Sequence, residues 1–166
     1  MYNQSELTWK SKESVAVRIR KLTVDEAYPL ELLLLADPSL EEVEAYLKAG
    51  DCYVLDENQE IVGIYVLLPL DDQRIELKNL AVAEAKQGQG LGKSLIEDAL
   101  KVAKQAGYQQ IEVGTGNSSI GPLALYQKMA FKITSVDKDY FVRNYGFPIY
   151  ENGVQCRDMI RLSQQL

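Results

Sequence analysis

Residues 80–94, LAVAEAKQGQGLGKS, decide the fold. Leu80, Ala81 and Val82 end a strand-like run that begins at Arg74, and Leu91 opens a long run of helical spacing. Between them stands Gln87-Gly88-Gln89-Gly90-Leu91-Gly92. Glycines let a backbone turn tightly and bring successive N–H groups near one ligand, and the first turn of a helix adds unpaired donors and a partial positive charge. The junction therefore reads as an anion site, for phosphate, against the plainer alternative of a flexible turn. A Rossmann G-x-G-x-x-G starting at Gly88 and Gly90 needs glycine at 93, where Lys93 stands, and fails. A P-loop G-x-x-x-x-G-K-[ST] fits at Gly92, Lys93 and Ser94 but needs glycine at 87, where Gln87 stands; it stays open as a near-match.

Outward from the loop, Leu91, Leu95, Ile96, Ala99, Leu100, Ala103 and Ala106 recur at helical spacing and Gly107 supplies a stop, which predicts a helix over 91–106. Upstream, residues 52–55, 61–68 and 74–82 are β-rich runs separated by Asp56-Glu57-Asn58-Gln59 and Asp71-Asp72-Gln73, so three consecutive antiparallel strands are predicted. Val15, Val17 and Ile19 alternate in a first strand. Thr23 with Glu26, and Ser39 with Glu42, have capping-box spacing, so two helices are expected after that strand, the later one closed by Gly50. Downstream, strands are expected at 111–115, 132–136 and 159–162 and a short helix at 122–129, while the Tyr- and Phe-rich stretch 137–155 shows no period. The order β-α-α-β-β-β-α-β-α-β-β, without repeats or linkers, describes one α/β domain over 15–166 behind an N-terminal extension of residues 1–14.

Composition removes other classes. A chain of 166 residues, 46% hydrophobic and 25% charged, can bury roughly 70% of its unfolded surface and needs no staple. Its net charge of −6 argues against nucleic acid as a partner and leaves cationic ligands open. Histidine is absent and Cys52 and Cys156 stand alone, which excludes histidine triads, HExxH hydrolases and Cys/His zinc sites, so no metal is expected. Residues 1–14 lack the apolar core of a signal peptide, and the apolar stretch 30–36 is too short to span a bilayer and carries Glu31. A reducing, cytoplasmic setting without a membrane partner is expected, and a homodimer is left open.

Read as Q/R-x-x-G-x-G/A, the loop fits without a gap at Gln87, Gly90 and Gly92. Residues 125–131, Leu-Tyr-Gln-Lys-Met-Ala-Phe, match L-Y-x-K-x-G-F, with Ala130 in place of glycine. With these two motifs in order the sequence resembles the GNAT superfamily of acyl-CoA-dependent N-acetyltransferases. The resemblance implies an α/β (α+β) fold, a mixed, mainly antiparallel sheet of about six to seven strands flanked by about four helices. It also implies that strands near 75–82 and 110–115 part to admit acetyl-CoA. The pyrophosphate would lie on Gln87, Gly88, Gln89, Gly90, Leu91, Gly92 and Lys93, and the pantetheine along the backbone of Leu80, Ala81 and Val82. The family's asparagine stands seven residues before the tyrosine. Here Asn117 stands nine before and Ser119 seven, which a two-residue insertion near Gly121 and Pro122 explains, and the resemblance gives the pantetheine role to Asn117.

Acetyl transfer needs a neutral amine, whereas an alkylamine with a pKa of about 10 is mostly ammonium at neutral pH, so a base or a desolvating site must take its proton. The resemblance nominates Glu76, eleven residues before Gln87, as that base, acting through water; otherwise Glu76 is a charge on the outer face of a strand. It assigns the Val82 N–H to the thioester oxygen and Tyr126 to protonation of the leaving thiolate; otherwise Tyr126 packs the short helix. Tyr140, Phe141, Tyr145, Phe147 and Tyr150, with the loop near 36–39, would line the acceptor pocket, or else form core packing. The expected acceptor is a small cationic amine or a peptide amine, from the net charge, the acidic Asp71-Asp72 turn and the cation-binding faces of the tyrosines. A non-catalytic acyl-CoA-binding or sensing domain is the alternative of a different class.

Overall fold

In the computed structural model, which describes residues 16–166, the first half of the chain runs β1 (Val17–Lys21), α1 (Leu30–Ala36), α2 (Leu40–Leu47), β2 (Asp51–Glu57), β3 (Glu60–Pro69) and β4 (Arg74–Val82). A short 3-10 helix (Glu84–Lys86) leads to α3 (Leu91–Gln105), β5 (Gln110–Gly116), α4 (Ile120–Lys128), β6 (Lys132–Asp137), α5 (Tyr140–Asn144), β7 (Ile149–Glu151), β8 (Val154–Cys156) and β9 (Met159–Gln165). The extension expected at 1–14, and Val15 at the head of the first strand, lie outside the described residues. Seven strands form one mixed sheet in the order β1-β2-β3-β4-β5-β9-β6, antiparallel at every neighbour except β4 with β5, and β7 and β8 make a separate hairpin.

The meander forms as β2, β3 and β4, but its first turn is tighter than the four residues read from composition. Only Asn58 and Gln59 separate the strands, both at positive φ (52° and 70°), as a two-residue hairpin needs if its twist is to match that of the strands. Two further expectations need correction. The Thr23 N–H and hydroxyl both donate to Glu26 Oε2 at 2.9 Å, yet they close a turn and not a helix. Pro29 disfavours helical backbone at Tyr28, and the helix starts only at Leu30. The stretch 137–155 holds α5 and the β7–β8 hairpin, elements of five and three residues too short to leave a period.

Each face of the sheet carries its own core. On one, α3 lays Leu95, Ile96, Ala99 and Ala103 against Tyr65, Leu67, Leu77, Ile111 and Val113. Leu95 and Ile96 are fully buried, each stabilising the fold by roughly 1.5–3 kcal/mol, and the small side chains of Ala99 and Ala103 let the helix approach the sheet. On the other face, α1 and α2 set Leu32, Leu33, Val43 and Tyr46 against Val54, Ile64, Val66 and Ala81. Along β4 the two faces change phase. Val66 pairs with Asn79 but Leu67 with Leu77, so Lys78 is an extra, bulged residue. Ile75 and Leu77 face α3 before the bulge, and Leu80 and Val82 face it afterwards, which puts Glu76 and Asn79 together on the α1–α2 side.

Arg20 ties β1 to the segments that follow it. Its Nη atoms donate to both oxygens of Glu26 at 2.8 Å and its Nε to Asp56 at 2.7 Å. This guanidinium, helped by the two Thr23 donors, holds the Glu26 carboxyl at about 2, from an ordinary 4.5. A carboxyl depressed in the fold stabilises it fully above the ordinary value and loses that contribution as pH falls toward the folded one. Glu26→Gln should therefore lower stability near neutrality and flatten the loss of stability between pH 4.5 and 2, which urea midpoints measured across that range check.

Candidate active site

β4 and β5 pair in parallel only from Arg74–Gln110 to Leu77–Val113. Beyond that point β4 stays with β3 as far as Val82, and β5 stays with β9 as far as Gly116. The strands part, leaving a cleft of about 300 Å³. One wall is β4 from Glu76 to Val82; the other is Gly114, Thr115 and Gly116 with Ser119, Pro122 and Tyr126 from the start and body of α4. Asp37 and Pro38, between α1 and α2, face Tyr140, Phe141 and Tyr145 across it.

Ala83 N–H donates to Val62 O at 2.8 Å, so antiparallel alternation turns the backbone groups of Ala81 toward β3 and those of Leu80 and Val82 toward the cleft. Val82 O accepts from Gln87 Nε2 at 3.0 Å, which ties the loop to the strand. Gly88 and Gly90 lie at φ 75° and 83°, in left-handed backbone that favours glycine, and a Cβ on either would meet nothing within 4 Å. Gly90 is the N-cap of α3, no side chain caps that helix, and its first turn carries no acidic residue. Bare N–H groups, the positive end of a 15-residue helix and an open outer side fit a pyrophosphate. Lys93 sits in the same turn, paired loosely with Glu97 at 3.7 Å.

Glu76 is 7% exposed, which removes the outer-face alternative. Its Oε1 accepts from Arg161 Nη1 at 2.9 Å, and Lys78 Nζ stands 4.0 Å away. Arg161 lies on β9 opposite Gly114 of β5, and its guanidinium can cross β5 because Gly114 has no side chain: a Cβ there would lie 3.1 Å from Nη1 and 2.6 Å from Met159 Sδ. Tyr126 both packs and lines the cleft. Its ring meets Phe131 edge-on at 5.8 Å, and burial pushes its hydroxyl up, so the proton is retained at neutral pH.

The structure thus brings Glu76, Leu80, Ala81, Val82, Gln87 and Tyr126 around one cleft, and Gly88, Gln89, Gly90, Leu91, Gly92 and Lys93 continue outward from Gln87. Asn117 stands apart from the cleft. Its Oδ1 accepts from the N–H of Arg157 (2.8 Å) and Asp158 (3.0 Å) and its Nδ2 donates to Gln155 O, tying the end of β5 to the link between β8 and β9. Ser119, the residue seven before the tyrosine, does line the cleft and donates to Glu151 Oε2 at 2.8 Å. Of the aromatic cluster, Tyr140, Phe141 and Tyr145 reach the cleft, Phe147 lines a neighbouring apolar pocket, and Tyr150 is 66% exposed. Asp71 is taken up in closing its turn, accepting from the N–H of Gln73 and Arg74, and the Asp71-Asp72 turn does not reach the cleft.

Sequence reading missed Arg161, Asn79 and the Tyr145–Asp37 contact, in which the Tyr145 hydroxyl donates to Asp37 Oδ1 at 3.0 Å across 108 positions of sequence. A signal for two of them existed. Apolar residues at 75 and 77 and then at 80 and 82 mark a bulge, and glycines at 114 and 116 inside a strand mark a close approach.

A sheet parted in this way, with a glycine-rich helix start at the mouth of the gap, places the chain in one family. It belongs to the Acetyltransferase (GNAT) family, whose model matches residues 17–131. It is 48% identical over 150 residues, 90% of this chain and 96% of the relative, to the "Uncharacterized N-acetyltransferase YvbK" of Bacillus subtilis (strain 168). Among solved structures it is similar to a GNAT family acetyltransferase from Elizabethkingia anophelis with acetyl-CoA bound (TM-score 0.89, 47% identity, 90% of this chain and 98% of that one). It is also similar to a Bacillus subtilis acetyltransferase in complex with CoA (TM-score 0.85, 47% identity, 91% of this chain and 99% of that one). The P-loop reading of residues 87–94 falls with this assignment. Among the described residues no cluster of three or more metal-ligating side chains occurs, and no helix is long and apolar enough to cross a membrane.

Gly114→Ala tests the crossing of Arg161 over β5. The added methyl meets only the outer atoms of two flexible side chains, Met159 and Arg161, so the variant is expected to fold with a loss of about 1 kcal/mol or less by thermal unfolding, while a crystal structure should show Arg161 moved off Glu76 or Met159 turned aside.

Proposed function

We propose that this chain transfers the acetyl group of acetyl-CoA to a primary amine of a small molecule or peptide by direct attack. The observation that carries this reading is that Glu76 and Tyr126 line the same cleft where β4 and β5 part. When bound, acetyl-CoA supplies a thioester carbon open to a nucleophile. The loop at 87–93 and the start of α3 hold its pyrophosphate, and the cleft-facing backbone of Leu80 and Val82 holds its pantetheine. The Val82 N–H donates to the carbonyl oxygen as negative charge develops there. Glu76 takes a proton from the amine, through water, and Tyr126 gives one to the departing thiolate.

An amine acceptor is supported by the charges around the cleft, where three carboxylates, Asp37, Glu76 and Glu151, stand against two cations, Lys78 on the wall and Arg161 bonded to Glu76. Tyr140 and Tyr145 supply ring faces beside them. Two free, buried cysteines suit a reducing cytoplasmic setting. A non-catalytic acyl-CoA sensor would need neither a carboxylate at 76 nor a hydroxyl at 126 beside the cleft.

Acetyl-CoA should raise the melting temperature of the parent by mass action and have no such effect on Gly90→Asp, whose side chain would enter the open space over the loop with a negative charge. A folded Gly90→Asp that responds like the parent would move the cosubstrate elsewhere. Tyr126→Phe should lower kcat about 100-fold while the affinity for acetyl-CoA stays unchanged. Glu76→Gln should lower activity most near neutrality and progressively less as pH approaches an amine pKa of about 10, in a pH profile of kcat/KM.

A further inference from the structure

Beside the cleft lies a second cavity, of about 240 Å³, that acetyl transfer to a bare amine does not use. Phe141, Tyr145, Ile149 and Cys156 line both spaces and form a partition between them. Val142 and Phe147 line only the second, and they are 47% and 51% exposed. Among the described residues none that lines this pocket carries a charge. Ring centroids follow one another at 5.2 Å from Tyr140 to Phe141, 5.5 Å on to Tyr145 and 6.3 Å on to Phe147, a row of aromatic faces leading out of the cleft.

The pocket is held in place from both ends. A Cβ on Gly116, at the end of β5, would lie 2.4 Å from Cys156 Sγ and 3.7 Å from Phe141 Cε2, so both side chains pack on the cleft wall. Phe141 N–H donates to Arg157 O at 3.0 Å, and Asn117 in turn binds the N–H groups of Arg157 and Asp158. Asn152 Nδ2 donates to Ser118 O at 2.9 Å and Ser119 to Glu151, which fastens the β7–β8 hairpin beside the start of α4. Half-exposed apolar side chains kept open in such a frame forgo the gain of burial, and a patch of them next to a binding cleft marks a seat for an apolar group. A second ammonium placed there would lose water and meet no counter-charge. The Tyr145 hydroxyl bond to Asp37, at 3.0 Å, joins the cleft walls beside the partition, which suits a compact acceptor over a polypeptide laid across the cleft.

We propose that the acceptor is a small primary amine bearing an aromatic or branched aliphatic group on a short chain, with its nitrogen in the cleft and its apolar group in the pocket formed by Phe141, Tyr145 and Phe147. The proposal rests on the acetyl transfer proposed above and names its substrate class. As the N–C bond forms and the C–S bond breaks, the amine proton goes to Glu76, Tyr126 gives a proton to the sulfur, and solvent returns the proton from Glu76 to Tyr126. The pocket holds the part of the amine that does not react.

Two measurements test this. In the first, kcat/KM is compared for butylamine, 1,4-diaminobutane, 2-phenylethylamine and 4-phenylbutylamine. The parent should favour the better phenylalkylamine over butylamine by roughly tenfold to hundredfold, the scale of burying a phenyl group, and should favour it over the diamine as well. Phe147→Asp, at a half-exposed site, should cut the preference over butylamine by roughly fivefold or more. Val154→Asp, on the same hairpin but outside the pocket, should keep it. A parent preference below about threefold, a preference unchanged in Phe147→Asp, or a diamine as the best acceptor overturns the proposal. So does faster acetylation of a phenylalanine-containing tripeptide, which gives the patch to a polypeptide. A Phe147→Asp that turns a dimer into a monomer in sedimentation, with the preference unaltered, gives it to a second copy and overturns the proposal too. If no amine is acetylated while acetyl-CoA still raises the melting temperature, the amine-transfer reading fails, and the pocket is judged by the second measurement alone. There, crystals of the parent with coenzyme A are soaked in 4-phenylbutylamine. A phenyl ring packed on Phe147 and Ile149 supports the proposal, and a ring seated elsewhere or an empty pocket overturns it.

Discussion

The parallel pairing of β4 and β5 stops at Leu77 and Val113, and the site depends on that stop. Each strand is held from outside, β4 by β3 and β5 by β9, so neither is free to close the gap. A parallel pair needs a crossover, and here the crossover is α3, which leaves from the far end of β4. The N-terminus of that helix is therefore delivered to the mouth of the gap, and the glycines before it expose the N–H groups it cannot pair internally. Strand edge, helix dipole and bare loop meet at one place because the topology allows α3 to start nowhere else.

The bulge at Lys78 does the second part of the arrangement. Without the extra residue, the alternation of β4 would place Leu80 and Val82 on the α1–α2 side and Asn79 on the side of α3. With it, apolar contacts to α3 continue, Asn79 joins Glu76, and Lys78 lies over the Tyr46 ring at 5.6 Å. Across the gap, Gly114 lets Arg161 reach Glu76 from a strand two positions away in the sheet. A buried carboxylate needs hydrogen-bond donors, and this one receives its donor from a residue 85 positions later in sequence.

What the sequence reveals depends on how local its cause is. Residues 74–82 were readable to the residue, and α3 to within one, because alternation and helical spacing are set by neighbours along the chain. The glycine loop was readable for the same reason. Contacts between distant residues were not: Arg161 is a single charge in an ordinary strand, and only folding makes it the partner of Glu76. The Thr23–Glu26 contact misled because the side chains make the bonds of a cap whether or not a helix follows. At 117–119, Ser119, seven residues before Tyr126, lines the cleft, while Asn117 is spent on the link between β8 and β9, a contact between distant residues. In 137–155, half-exposed elements of three to five residues carry too few buried positions to show a period.

The central claim is that the free edge of β4 beyond Leu77 receives acetyl-CoA. Amide hydrogen exchange, measured with and without the cosubstrate, tests it most directly. Leu80, Val82 and the loop at 88–93 should exchange more slowly in its presence, while Ala81 and Ala83, already paired to β3, and the β1–β2 pair should not change. Binding that raises the melting temperature yet leaves the exchange of residues 80–93 unaltered would contradict the account.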